Sequence, residues 1–111
     1  MADREQVELG RDQSGTTVQL EVGEELAVRL PENRTTGYRW ETVASDDAVV
    51  APGGDDYEVA GTGHGGGGSH RFRFRAVGAG RATVALALRR PWETAAADRF
   101  EVAVEVTPAA P

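Results

Sequence analysis

Cysteine is absent from the 111 residues. That removes a disulfide scaffold, a thiol nucleophile and any cysteine-ligated metal. Lysine is absent as well, since all 12 basic residues are arginine. A phosphate loop or a Schiff-base mechanism built on lysine is therefore closed to this chain. Long hydrophobic runs are missing too. The longest, Ala82-Thr83-Val84-Ala85-Leu86-Ala87-Leu88, falls far short of the ~20 residues that cross a bilayer, so no membrane partner is expected. With 18 acidic residues and a formal charge of -6, the chain lacks the basic footprint of a nucleic-acid binder. The opening Met1-Ala2-Asp3-Arg4-Glu5-Gln6 has no basic region followed by an apolar stretch. The expectation is a cytoplasmic chain, although a secreted mature fragment given a new methionine would read the same.

What is present is alternation. Val18, Leu20 and Val22 alternate with polar residues, as do Leu26, Val28 and Leu30, and Tyr38 and Trp40. Phe72, Phe74 and Ala76 alternate with arginines; Ala82, Val84, Leu86 and Leu88 follow, and Phe100, Val102, Val104 and Val106 close the chain. A period of two means strands with one buried and one wet face. With weaker runs near Val7–Leu9 and Ala48–Ala51, and Gly, Pro, Asn and Asp between them, the pattern predicts an all-β chain, an antiparallel β-sandwich. No segment reads as a convincing helix; Glu93–Arg99 is at most one turn. The expected organisation is a single domain over residues 1–111, with frayed ends at 1–14 and 107–111. The expected core is Leu20, Val22, Leu26, Val28, Leu30, Trp40, Phe72, Phe74, Val84, Leu86, Leu88, Phe100, Val102 and Val104.

A sandwich keeps its function in its loops, and three stand out. The first is Pro31-Glu32-Asn33-Arg34-Thr35-Thr36-Gly37. The second runs from Gly61 to His70, and the third is Arg89-Arg90-Pro91-Trp92-Glu93. Gly61, Gly63 and Gly66 match a dinucleotide-binding fingerprint in form only, because that motif needs a helix to follow and a strand pattern follows here. His64 and His70 could share a metal, but two ligands on a loop make a weak site and solvated loop histidines are the better reading. Ser69 beside His70 is no nucleophile signal, and no Ser/His/acid set stands out, so no catalytic residues are assigned. Asn33-Arg34-Thr35 is a formal glycosylation acceptor. Gly65–Gly68 read either as a loose connector or as backbone that can approach another surface closely. Trp92 falls outside the strand period and follows Pro91, which stiffens the loop. It reads equally as an exposed binding anchor or as a lid over the sandwich end. Thr35-Thr36-Gly37 is either a plain hairpin turn or a tip that presents two hydroxyls and several amides.

Taken together, the three loops resemble the chagasin-type inhibitors of papain-like cysteine proteases, peptidase inhibitor family I42. The family pattern is an Asn-Pro-Thr-Thr-Gly-aromatic loop, a Gly-Gly-containing loop, and Arg-Pro-Trp. This chain reads Asn33-Arg34-Thr35-Thr36-Gly37-Tyr38, then Gly65-Gly66-Gly67-Gly68, then Arg90-Pro91-Trp92-Glu93. The resemblance spans about Gln19 to Val106. Arg34 is the one clear departure, standing where the family has proline. It leaves the first loop less stiffened and puts a long cation at the expected contact edge. The resemblance implies an immunoglobulin-like sandwich without disulfides, its three loops at one end. It further implies a reversible, tight-binding, noncovalent inhibitor with a papain-like cysteine protease as partner. With no catalytic set in the sequence no enzyme is expected, nor a cofactor or metal, and a monomer is the default for the free chain. Asn33 to Tyr38 would enter the catalytic cleft. Gly65 to Gly68 would lie along the unprimed side, and Arg90, Pro91 and Trp92 would pack on the primed side. The alternative from a different class is a carbohydrate-binding or adhesion module using Trp92 as a stacking platform.

Overall fold

The computed structural model describes residues 6–59 and 67–109. Eight strands account for most of them: β1 (Gln6–Leu9), β2 (Thr17–Glu21), β3 (Glu25–Asn33), β4 (Arg39–Ala44), β5 (Val50–Val59), β6 (Gly67–Ala76), β7 (Gly80–Arg89) and β8 (Asp98–Thr107). They form two four-stranded sheets, ordered β1-β3-β6-β5 and β2-β8-β7-β4. Neighbours run antiparallel except β1 beside β3 and β2 beside β8, which are parallel. The N-terminal segment thus feeds one strand to each sheet. This is the immunoglobulin-like sandwich arrangement; the alternation predicts the sandwich, and the family resemblance implies its immunoglobulin-like form. Among the described residues, helical structure is confined to two single 3-10 turns, Arg11–Gln13 and Arg34–Thr36.

The core follows from the period. On β3, Leu26, Val28 and Leu30 point inward; on β6, Phe72 and Phe74; on β7, Val84 and Leu86; on β8, Phe100, Val102 and Val104. All are buried. Trp40 joins them from β4. Of the expected core, Val22 and Leu88 are only half-buried against the cluster, while Leu9, Val18, Val49, Val50, Ala76, Ala82 and Val106 complete it.

Two expectations are corrected. The terminal segments are not frayed over the whole ranges expected. Gln6–Leu9 pairs in register with Glu25–Val28, Glu101 N donates to Ser14 Oγ, and Arg11 ion-pairs with Asp98. Thr107 belongs to β8 and pairs with Glu21. Secondly, a full strand, β5, runs through Pro52-Gly53-Gly54-Asp55-Asp56, a stretch with little strand propensity. It is an edge strand, where proline is tolerated, and a register shift between Pro52 and Asp55 absorbs the glycines. The first loop is also shorter than expected, since β3 continues to Asn33. Strand β1 pairs with β3 only as far as Val28, so Pro31 lies where β3 has a neighbour strand on one side only. Of Glu93–Arg99, residues 93–97 are irregular and lead into β8, which begins at Asp98; none is helical.

Candidate functional site

Strand register brings the β3–β4 turn, the start of β6 and the connection leaving β7 to one end of the sandwich. Asn33 pairs with Gly67 and Glu32 with Gly68, which sets the β3–β4 turn beside the start of β6. In the other sheet Arg39 pairs with Arg89, so the same turn also borders the connection leaving β7.

The first turn is held by its own side chains. Asn33 Oδ1 accepts from Thr35 N at 3.0 Å and from Thr35 Oγ1 at 2.6 Å, the cap that Asn favours at a helical start. Thr36 Oγ1 donates to Asn33 O at 2.7 Å and accepts from Tyr38 N at 3.3 Å. Gly37 closes the turn at φ 83°, its N–H donating to Arg34 O; only glycine takes that left-handed conformation without strain. Both threonine hydroxyls donate inward, which gives the tip a preset shape.

The third connection leans on the first. Glu93 N donates to Arg90 O at 3.0 Å, closing a four-residue turn with Pro91 at the position where its fixed φ fits. Arg89 braces this turn, donating from Nη1 to Glu93 O at 2.7 Å and from Nε to Glu41 Oε2 at 2.5 Å. The Arg90 guanidinium lies 4.3 Å from the Tyr38 ring centroid and 5.7 Å from that of Trp92. A Cβ on Gly37 would sit 3.4 Å from Trp92 Cη2, so the indole edge borders the turn tip. Trp92 is nevertheless 71% exposed. It stands beside the end of the sandwich and does not cover it, so it is no lid. With Tyr38, Glu93 and Thr94–Ala97 it lines an open depression of about 470 Å³.

Of the second loop, Gly67 and Gly68 open β6, while His64, Gly65 and Gly66 lie outside the described residues. Gly68 packs between strands: a Cβ there would lie 2.4 Å from Glu58 O and 2.5 Å from Tyr57 Oη. His70 is a correction. It is no solvated loop histidine but a buried strand residue, 5% exposed, stacked on Phe72 at 4.1 Å. Its Nδ1 lies 2.9 Å from Glu32 Oε1 and its Nε2 2.5 Å from Asp55 Oδ2. No cluster of three or more potential metal ligands occurs among the described residues.

Glu32 is the centre of this polar group and is fully buried. Besides His70, it accepts from Trp40 N at 2.7 Å, across the two sheets, and from Arg34 Nε at 2.9 Å. Trp40 Nε1 donates back to Pro31 O at 2.9 Å. Burial alone would raise the Glu32 carboxyl. The Trp40 N–H, then His70 and Arg34, outweigh it and hold the group below its ordinary value. Arg34 folds back onto this carboxylate with its guanidinium 4.0 Å from the Tyr57 ring centroid. The cation expected at the contact edge is paired with this carboxylate while its side chain stays 35% exposed. Glu32 and His70 were not among the expected site residues. Parity was the available signal: Glu32 continues the inward line Leu26, Val28, Leu30, and His70 the line Phe72, Phe74.

The sequence matches the profile of the "Chagasin family peptidase inhibitor I42" over residues 19–105. The chain belongs to the chagasin family. No curated protein matches it. Among solved structures, the fold is similar to the cysteine protease inhibitor EhICP2 from Entamoeba histolytica, with TM-score 0.82 and 17% identity over 92% of this chain and 96% of that one. Amebosin is similar at TM-score 0.75 and 28% identity, covering 90% and 96%. PbICP-C, solved in complex with falcipain-2, gives TM-score 0.62 and 17% identity over 95% and 99%. Chagasin-family members are inhibitors of peptidases, not enzymes. No helix among the described residues is long and apolar enough to cross a membrane.

Proposed function

We propose that this chagasin-family chain is a reversible, noncovalent, tight-binding inhibitor of papain-like cysteine proteases. The loop residues Asn33–Tyr38, Gly65–Gly68 and Arg90–Trp92 together fill the catalytic cleft. The observation that carries the reading is the packing of the Gly37 tip against the Trp92 edge, with Arg90 beside both Tyr38 and Trp92. Two distant stretches of chain thereby form one rigid projection. The similarity to EhICP2, itself a cysteine protease inhibitor, and to PbICP-C, which binds falcipain-2, supports the choice of target class.

The chemistry is that of a plug. A papain-like enzyme cleaves an extended peptide laid across its thiolate. The Asn33–Gly37 segment is a 3-10 turn closed by internal hydrogen bonds, so it offers no extended peptide bond for attack. Because the turn is already ordered in the free protein, little conformational freedom is lost on docking. An interface of ordinary size, ~1,600 Å², suffices, and nanomolar binding needs about -12 kcal/mol.

The test is titration of papain with the purified chain, followed by dilution. Inhibition at nanomolar to low micromolar concentration, with full recovery of activity and an uncut inhibitor, is expected. Papain that stays fully active at tens of micromolar folded protein overturns the proposal. A covalent adduct or a clipped chain overturns its noncovalent part.

A further inference from the structure

We infer that Arg34 is a positioning residue. By clamping onto buried Glu32 it gives the Thr35-Thr36-Gly37 tip the stiffness that proline supplies in the family pattern. The inference rests on the inhibitor reading above for its consequence, though not for its geometry.

Arg34 opens the 3-10 turn, and its carbonyl accepts the Gly37 N–H that closes it. Fixing Arg34 therefore fixes both ends of the tip. Its side chain is fixed twice, by the 2.9 Å bond from Nε to Glu32 Oε2 and by the Tyr57 ring under the guanidinium. Tyr57 in turn donates from its hydroxyl to Glu32 O at 2.9 Å. The anchor is immobile because several strands hold it. Glu32 sits on β3 and takes the Trp40 N–H of β4 and contacts His70 of β6, which contacts Asp55 of β5. A charge-assisted bond to a buried, fully engaged carboxylate is stronger and better localised than one to a surface acid. Proline stiffens a chain by a different route, restricting φ at its own position. Asn33 has φ -108° and ψ 104°, the extended region that a residue before proline prefers. Position 34 can accordingly be stiffened either way.

The experiment uses the full chain with papain as the probe enzyme. It compares Arg34→Ala, Arg34→Pro, Glu32→Gln and the Glu32→Gln/Arg34→Ala double variant. Two quantities are read: backbone amide order parameters of Thr35, Thr36 and Gly37 in the free protein, and association and dissociation rates with papain. Arg34→Ala is expected to lower the tip order parameters and raise the dissociation rate about tenfold, equivalent to about 1.4 kcal/mol. Association should change by less than about threefold. Arg34→Pro should restore both quantities. In the Glu32→Gln background, Arg34→Ala should add little, because the anchor is already weakened. Unchanged tip order in Arg34→Ala overturns the inference. So does a dissociation rate equally raised in Arg34→Ala and Arg34→Pro, which would mean that Arg34 touches the enzyme itself. If Glu32→Gln fails to fold, the alanine–proline comparison alone decides. If wild-type protein does not inhibit papain, the inhibitor reading fails, while the order parameters still decide the positioning role without any enzyme.

Discussion

Replacing Trp92 with alanine should separate binding from folding more cleanly than any other single change. The indole is 71% exposed. A tryptophan presents roughly 250 Å², so about 180 Å² of it is open to a partner. At about 25 cal/mol per Å², complete burial in a complex is worth about 4.5 kcal/mol, an upper limit. Truncated aromatic anchors cost about 2 kcal/mol or more. The expected loss is thus about 2–4 kcal/mol, or roughly 30- to 700-fold in the inhibition constant for papain. Folding should respond less. The free protein loses the indole edge against Gly37 and the longer of the two ring contacts of Arg90, and the ~70 Å² already covered is worth at most about 2 kcal/mol. The assay is a tight-binding titration of papain on a fluorogenic substrate, run beside a thermal melt of each variant. An inhibition constant within about threefold of wild type, with an unchanged melt, refutes the reasoning, because an exposed anchor that anchors nothing is only surface. A large drop in melting temperature refutes it differently, by showing that Trp92 holds the sandwich end together.

Three further outcomes follow from the packing. Gly68→Ala drives a methyl into Glu58 O and Tyr57 Oη and should cost about 1–3 kcal/mol, read as a lower urea midpoint; a neutral result would mean that β5 and β6 separate freely there. Phe100→Ala removes a ring with no exposure near the start of β8 and should cost about 3–5 kcal/mol, so a loss under about 1 kcal/mol in the same assay contradicts the core. The Glu32 carboxyl, facing Arg34, His70 and the Trp40 N–H, is held below its ordinary value of 4.5. Its contribution is fully present above that value and lost as pH falls through the lowered one. Wild type should therefore lose stability on acidification below about pH 4.5 more steeply than Glu32→Gln, measured as urea midpoints from pH 7 to pH 3; parallel curves would contradict it.

The strands with strong alternation were legible because burying one face of a sheet forces a period of two on side chains. Leu26, Val28 and Leu30 could face only one way, as could Phe72 and Phe74 or Val102 and Val104. Only the start of β5 was legible, in the weak run at Ala48–Ala51; beyond it Pro52, Gly53 and Gly54 suppress strand propensity and the strand's stability comes from pairing with β6. β1 was faint because four residues carry little pattern, although their register with β3 is regular. At the site, the order of the loop motifs carried the family resemblance, yet sequence could not bring Gly37 against Trp92, because that contact depends on Arg39 pairing with Arg89. His70 was misread for a related reason. Adjacent glycines made it look like loop, whereas its parity with Phe72 and Phe74 makes it core. Arg34 looked like an outward cation; parity with Leu26, Val28 and Leu30 marks Glu32 as inward, but no local rule announces that Arg34 folds back onto it.

The most direct measurement is amide chemical-shift mapping of the isotope-labelled chain on titration with papain whose catalytic thiol has been blocked by a small methylthio group. Shifts and broadening centred on residues 33–38, 65–68 and 90–92, saturating at one enzyme per inhibitor, are the predicted result. Perturbations centred on the outer face of either sheet, or on the opposite end around Gly23 and Gly80, would contradict the placement of the contact surface on these loops.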